Sequence, residues 1–173
     1  NTVPFNIPGT DRAPAFPHMD VDNSGGPSTG NIYITWQSNR HAMLISSYDG
    51  GNSWNAPVQI DDDGITSNLH WFPTVNVDVN GNVHSFFYDR RDHPGTTITN
   101  LYYAVSTDGG QTFQPNLRAS DTDSNFHTFN DGSPAWGDYI NATTVGTSAI
   151  AAYADGRLGD PDAFFSHVGN RGI

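Results

Sequence analysis

The chain has 173 residues and a formal net charge of −11, a length that suits one domain with a real core and a charge that repels nucleic acid and anionic membranes. It holds no cysteine, which excludes a disulfide framework and thiolate metal sites, and no apolar run approaches the ~18 residues of a membrane span. All seven basic side chains are arginine and all eighteen acidic ones aspartate; lacking Lys and Glu, two strong helix formers, and rich in Gly, Pro, Asn and Thr, the composition predicts strands joined by tight turns.

The first seven residues contain Thr2-Val-Pro-Phe-Asn-Ile7, which resembles Ala56-Pro-Val-Gln-Ile60 and reads as a spare fourth strand. A repeat then begins. Its first copy, 8–60, runs through Phe16-Pro-His-Met-Asp-Val-Asp22, the strand Ile32-Tyr-Ile-Thr-Trp36, Arg40 and the octapeptide Ser47-Tyr-Asp-Gly-Gly-Asn-Ser-Trp54. The second, 61–120, opens on Asp61-Asp-Asp63 and His70, then repeats the pattern in Phe72-Pro-Thr-Val-Asn-Val-Asp78, Val83-His-Ser-Phe-Phe87, Arg91 and Ser106-Thr-Asp-Gly-Gly-Gln-Thr-Phe113. Its strands are predicted at 72–78, 83–88, 101–106 and 113–118, with Asn80-Gly-Asn82 as a hairpin turn. The third, 121–173, carries Asp121-Thr-Asp123, His127, a weaker opening strand near Trp136-Gly-Asp-Tyr-Ile-Asn141, Ala149-Ile-Ala-Ala-Tyr153 and Arg157, and stops after its third strand near Phe164-Phe-Ser-His167. A repeat of roughly 50–65 residues, a full copy being four short antiparallel strands and the third copy truncated, predicts an all-β segment of about three β-propeller blades spanning 1–173.

The two octapeptides share Ser-x-Asp-x-Gly-x-Ser/Thr-Trp/Phe, and this resembles the Asp box, or BNR repeat, of the sialidase superfamily in its bacterial secreted form. Tyr88-Asp-Arg-Arg91, Gly137-Asp-Tyr-Ile140 and Ala154-Asp-Gly-Arg157 extend the resemblance over nearly the whole chain. It implies half of a six-bladed sialidase-like propeller, in an extracellular protein that binds or acts on carbohydrate. The alternatives are a sialidase-type exo-glycosidase completed by further or partner blades, and a structural or adhesive repeat unit. In either case the blades belong to a longer propeller chain or pair with a second copy as a homodimer. The box residues Ser47, Asp49, Gly51, Trp54, Ser106, Asp108, Gly110 and Phe113 read as structural: the carboxylate accepts backbone N–H groups, Gly supplies positive φ, and the aromatic packs under the hairpin. In the family the boxes face away from the ligand.

Alternating strand directions put the loops between second and third strands, and the connections between blades, at the opposite end. There lie Arg40, Arg91 and Arg157, with Asp89 and Asp155, and also His70 and Asp61-Asp-Asp63. Three repeat-related arginines suit carboxylate recognition, because guanidinium groups bind carboxylates bidentately; loop salt bridges of Arg91 to Asp89 and of Arg157 to Asp155 explain the pattern without any ligand and are the stronger reading. The family's Tyr nucleophile needs a Glu base, and the chain has none. Tyr139, beside Asp138, is the best-placed tyrosine, as a ligand contact or as a blade-core residue. Trp36, Trp71 and Trp136 stack on sugars or fill the core. No cofactor is expected, save a calcium ion that Asp61 and Asp63 could hold; His41, His70, His93 and His127 lack zinc-site spacing.

Overall fold

The computed structural model describes residues 7–10, 13, 16–65, 68–127 and 136–169. The predicted N-terminal strand thus lies, apart from Ile7, outside the described residues. Among the described residues there is no helix, and all pairing is antiparallel, in three sheets.

The first sheet is a four-stranded meander, β1 (His18–Val21), β2 (Ile32–Ser38), β3 (His41–Ser47) and β4 (Val58–Gln59). In the second, β7 (Val83–Asp89) and β8 (Ile98–Ser106) form a long hairpin. Its first strand is two fragments on β7, β5 (His70–Trp71) and β6 (Asn76–Val77), and its fourth is two fragments on β8, β9 (Leu117–Arg118) and β10 (Ser124–Asn125). The third sheet has β11 (Asn141–Val145), β12 (Ser148–Asp155) and β13 (Asp162–Val168).

The strand predicted at 72–78 is therefore broken. Phe72 takes a positive φ of 52°, rare for a bulky residue, and Pro73 has no N–H for a ladder. Conversely, β8 starts at Ile98 rather than at 101.

Period-2 alternation positions the blades. On β7 and β8, Val83, Phe87, Tyr102 and Ala104 face the first sheet, where they meet Tyr33, Ala42, Leu44 and Ile60. Phe86, Tyr88, Leu101 and Tyr103 face the other way, toward Trp136, Ile140, Ala149, Ala151 and Tyr153. Each such fully buried aromatic or aliphatic side chain contributes roughly 1.5–3 kcal/mol.

The turns sort into two ends. At one end Tyr48 in the first octapeptide donates its O–H to the Gly109 carbonyl in the second, 2.8 Å. Both octapeptides close alike. Asp49 Oδ1 accepts from Ser53 N at 2.8 Å and Ser47 Oγ at 2.9 Å, and Asp108 Oδ1 from Thr112 N at 2.9 Å and Ser106 Oγ at 2.7 Å. Each serine hydroxyl in turn accepts the N–H of Gly51 or Gly110 at 2.8 Å.

The aromatics differ. Phe113 packs against the core between the first and second sheets, but Trp54 is 42% exposed rather than tucked under its hairpin. The side of the first sheet where Trp54 would be covered has no neighbouring sheet among the described residues.

Candidate functional site

At the other end, repeat-related residues build two matching clamps. Arg91 donates Nε to Asp89 Oδ2 (2.6 Å), Nη1 to Asp62 Oδ1 (2.5 Å) and Nη2 to Asn116 Oδ1 (2.9 Å), and its guanidinium lies 4.3 Å from the Tyr102 ring centroid. Arg157 donates Nε and Nη2 to Asp155 Oδ2 (3.0 and 2.6 Å) and Nη1 to Asp121 Oδ1 (2.5 Å), with its guanidinium 4.4 Å from the Phe164 centroid. Asp89 and Asp155 are buried. Each clamp ties a loop to the connection from the preceding sheet, spending its donors within the protein. Burial pulls Arg91 down, but Asp89 and Asp62 hold it above the ordinary arginine value; the Asp155 and Asp121 hydrogen bonds do the same for Arg157.

Arg40 is built differently. It follows Asn39 in a two-residue hairpin, with φ of 49° and 77°, the combination of a type I′ turn. Ser38 stands where the other copies have aspartate. The Arg40 carbonyl accepts from both His70 N (3.0 Å) and His70 Nδ1 (2.6 Å).

Sequence reasoning missed Arg90. It is 1% exposed, yet its partners are neutral: Nε donates to Thr99 Oγ1 (3.0 Å), Nη2 to the Pro8 carbonyl (2.8 Å), and Trp71 lies beneath it at 5.1 Å. Its Nη1 is buried with no hydrogen-bond partner among the described residues. Burial pushes its pKa down to about 10. The signal was a break in the repeat: the equivalent positions are Asn39 and Gly156. At Gly156 a Cβ would sit 1.8 Å from Trp136 Cη2, so the third copy fills with an indole the space that the second gives to a guanidinium. Arg90 and Arg40 line one cleft of about 180 Å³ with Pro8, Asn68, Leu69 and Thr96.

Beside this cleft His70 is fully buried, Nε2 lying 3.4 Å from both Asp63 Oδ2 and Asp89 Oδ2. Burial lowers the imidazole pKa, and Asp89 and Asp61 raise it above the ordinary value on balance. Both oxygens of Asp61 are engaged, Oδ1 by Ala42 N (2.7 Å) and Oδ2 by His41 Nδ1 (2.8 Å) and Gln59 Nε2 (2.9 Å).

Tyr139 is not a core residue. It is 62% exposed and stacks on Phe16, itself 43% exposed, with ring centroids 5.4 Å apart; the neighbouring Trp136 and Ile140 take the core positions instead. Trp71 and Trp136 are buried, whereas Trp36 is half-buried on the outer side of the first sheet.

No protein-family model and no curated protein matches the sequence. Solved structures do. A Hadza microbial sialidase superposes with a TM-score of 0.62 at 16% identity, over 91% of this chain and 35% of the sialidase. An α-L-arabinofuranosidase from Fusarium graminearum, in complex with an iminosugar inhibitor, gives 0.63 at 16% identity over 97% and 49%. A Penicillium chrysogenum α-L-arabinanase, complexed with arabinobiose, gives 0.61 at 16% identity over 88% and 45%. The chain therefore has the fold of sialidase-like β-propellers and spans less than half the length of each of these structures.

Proposed function

We propose that these blades form an extracellular carbohydrate-binding module that recognises an acidic sugar at the end bearing Arg40 and Arg90. The observation that carries this reading is Arg90, a buried guanidinium whose partners are neutral and whose Nη1 is unbonded among the described residues, in a cleft shared with a second arginine. A buried cation without a counter-charge is costly, and a carboxylate entering the cleft would offset that cost. The cleft is below the roughly 300 Å³ at which drug-sized sites begin, so it suits one carboxylate-bearing corner of a sugar. The exposed Phe16–Tyr139 pair supplies an aromatic face at the same end, against which a further ring can stack.

Arg91 and Arg157 serve this reading as supports, fixing the loops rather than touching ligand. Hydrolysis is a separate step: a tyrosine nucleophile needs a carboxylate base, and sialidase-type catalysis here would draw its glutamate from further blades of a longer chain, because a second copy of this sequence holds none. A glycan array spanning sialylated, uronic-acid and neutral oligosaccharides tests the proposal. Wild type is expected to retain acidic glycans, Arg40→Gln to lose them while still folding, as circular dichroism would show, and Tyr139→Ala to weaken them. Retention of neutral glycans alone, or no difference on Arg40→Gln, would refute it.

A further inference from the structure

His70 raises a question of charge that the sugar site leaves unanswered. Its Nδ1 lies 2.6 Å from the Arg40 carbonyl oxygen. A carbonyl only accepts, so Nδ1 carries the proton. In the neutral ring Nε2 then presents a lone pair. That atom is buried, has no hydrogen-bond partner among the described residues, and faces two carboxylate oxygens, Asp63 Oδ2 and Asp89 Oδ2, each 3.4 Å away. A lone pair facing two anions in a dry site is repulsive, and something positive belongs between them.

We propose that Asp63, His70 and Asp89 bind a divalent transition metal, zinc in the first instance, through Asp63 Oδ2, His70 Nε2 and Asp89 Oδ2. The spacing fits the size of the ion. Bonds of about 2.0–2.1 Å to nitrogen and oxygen in a tetrahedral site put neighbouring donor atoms roughly 3.3–3.4 Å apart. Mixed imidazole and carboxylate donors favour zinc over calcium, which takes oxygen ligands. The surroundings match an outer ligand shell. The second ring nitrogen of His70 donates to a backbone carbonyl, Asp63 Oδ2 accepts from Asn68 Nδ2 (2.5 Å), and Asp89 Oδ2 accepts from Arg91 Nε (2.6 Å).

The three ligands come from separate stretches: the connection after β4, β5, and the end of β7. An ion here would pin the first sheet to the second. It would also fix the segment carrying Asn68 and Leu69, which line the arginine cleft.

The test uses the full chain, dialysed against chelator, incubated with zinc chloride and desalted, with bound zinc measured by mass spectrometry and thermal stability measured with and without zinc. Wild type is expected to retain one zinc per chain and to melt at a higher temperature with it. His70→Gln and Asp63→Asn should lose both effects; asparagine keeps the shape of Asp63, so that variant carries the test if His70→Gln does not fold. Asn68→Ala should weaken binding about tenfold, while His93→Gln, which alters a histidine 2.9 Å from Asp123 at the surface, should change nothing. Wild type that retains no zinc, equal retention by Asp63→Asn, or nitrogen NMR showing both ring nitrogens of His70 protonated with zinc present would overturn the proposal; the last result would make the missing cation a proton.

Discussion

The middle sheet and its flanking sheets carry the same repeat but bury it differently. Every residue of β7 is buried, whereas β2 in the first sheet buries alternate residues only. The third sheet is more open still: on β13, Phe165 is 75% exposed. The middle sheet has a neighbour on each face. The flanking sheets have one neighbour each among the described residues, and their outer sides present Met19, Ile34 and Trp36 at one end of the array and Phe165 at the other. Burial is thus a property of position in the array rather than of the repeat. The octapeptides make the same point: near-identical turns leave Phe113 seated between sheets and Trp54 in solvent.

Truncating aromatics probes this contrast with the largest effect. Phe87→Ala empties the core between the first and second sheets and should cost about 3–5 kcal/mol in chemical denaturation. Phe165→Ala should stay within about 0.5 kcal/mol. A comparable loss at Phe165 would mean that the outer face is covered in solution, as a second copy or further blades would cover it, and the mass of the particle would then separate those two.

The clamps come next. Arg91→Ala leaves Asp89 buried without its counter-charge and should cost about 2–3 kcal/mol, on the scale of hydrogen bonds to charged groups. Arg157→Ala should cost less, because its second partner, Asp121, has a side chain 82% exposed and exposed ion pairs contribute little. Equal losses in urea titrations would contradict this ordering.

The smallest effect is acidic. The Ser53 hydrogen bonds hold Asp49 below the ordinary carboxylate range; burial pulls Asp108 up, but its bonds with Thr112 bring it below as well. A carboxylate depressed by folding stabilises above its unfolded value, about 3.9, and that stability disappears as pH falls through the folded value. Wild type should therefore lose stability more steeply below about pH 4 than an Asp49→Asn, Asp108→Asn double variant. Parallel acid curves would show that the two carboxylates are not linked to folding.

The sequence revealed the architecture because its signals are local and recur: alternation, Gly-containing turns and octapeptides 59 residues apart. It did not show β5 and β6 as separate fragments, since Phe72 adopts its positive φ at a junction between sheets. At the end that carries Arg40 and Arg90 legibility fell away. Matching copies drew attention to Arg91 and Arg157, whose equivalence reflects a shared clamp. The residue that departs from the repeat, Arg90, became visible only once Trp136 was seen filling the corresponding space beside Gly156. The outward turn of Tyr139 depends on Ile140 taking the core, a choice between neighbours that no periodicity fixes. The trio of Asp63, His70 and Asp89 depends on three distant segments meeting, which short-range spacing does not encode.

The central claim is that a buried, neutrally partnered arginine marks a carboxylate site. It is tested most directly by titrating sialyllactose and lactose into wild type and Arg40→Gln by calorimetry at two salt concentrations. Sialyllactose is expected to bind wild type, more weakly at higher salt and at least about tenfold more weakly after Arg40→Gln, with no binding of lactose. Equal affinity for the two sugars, or sialyllactose binding that ignores both salt and Arg40, would contradict it.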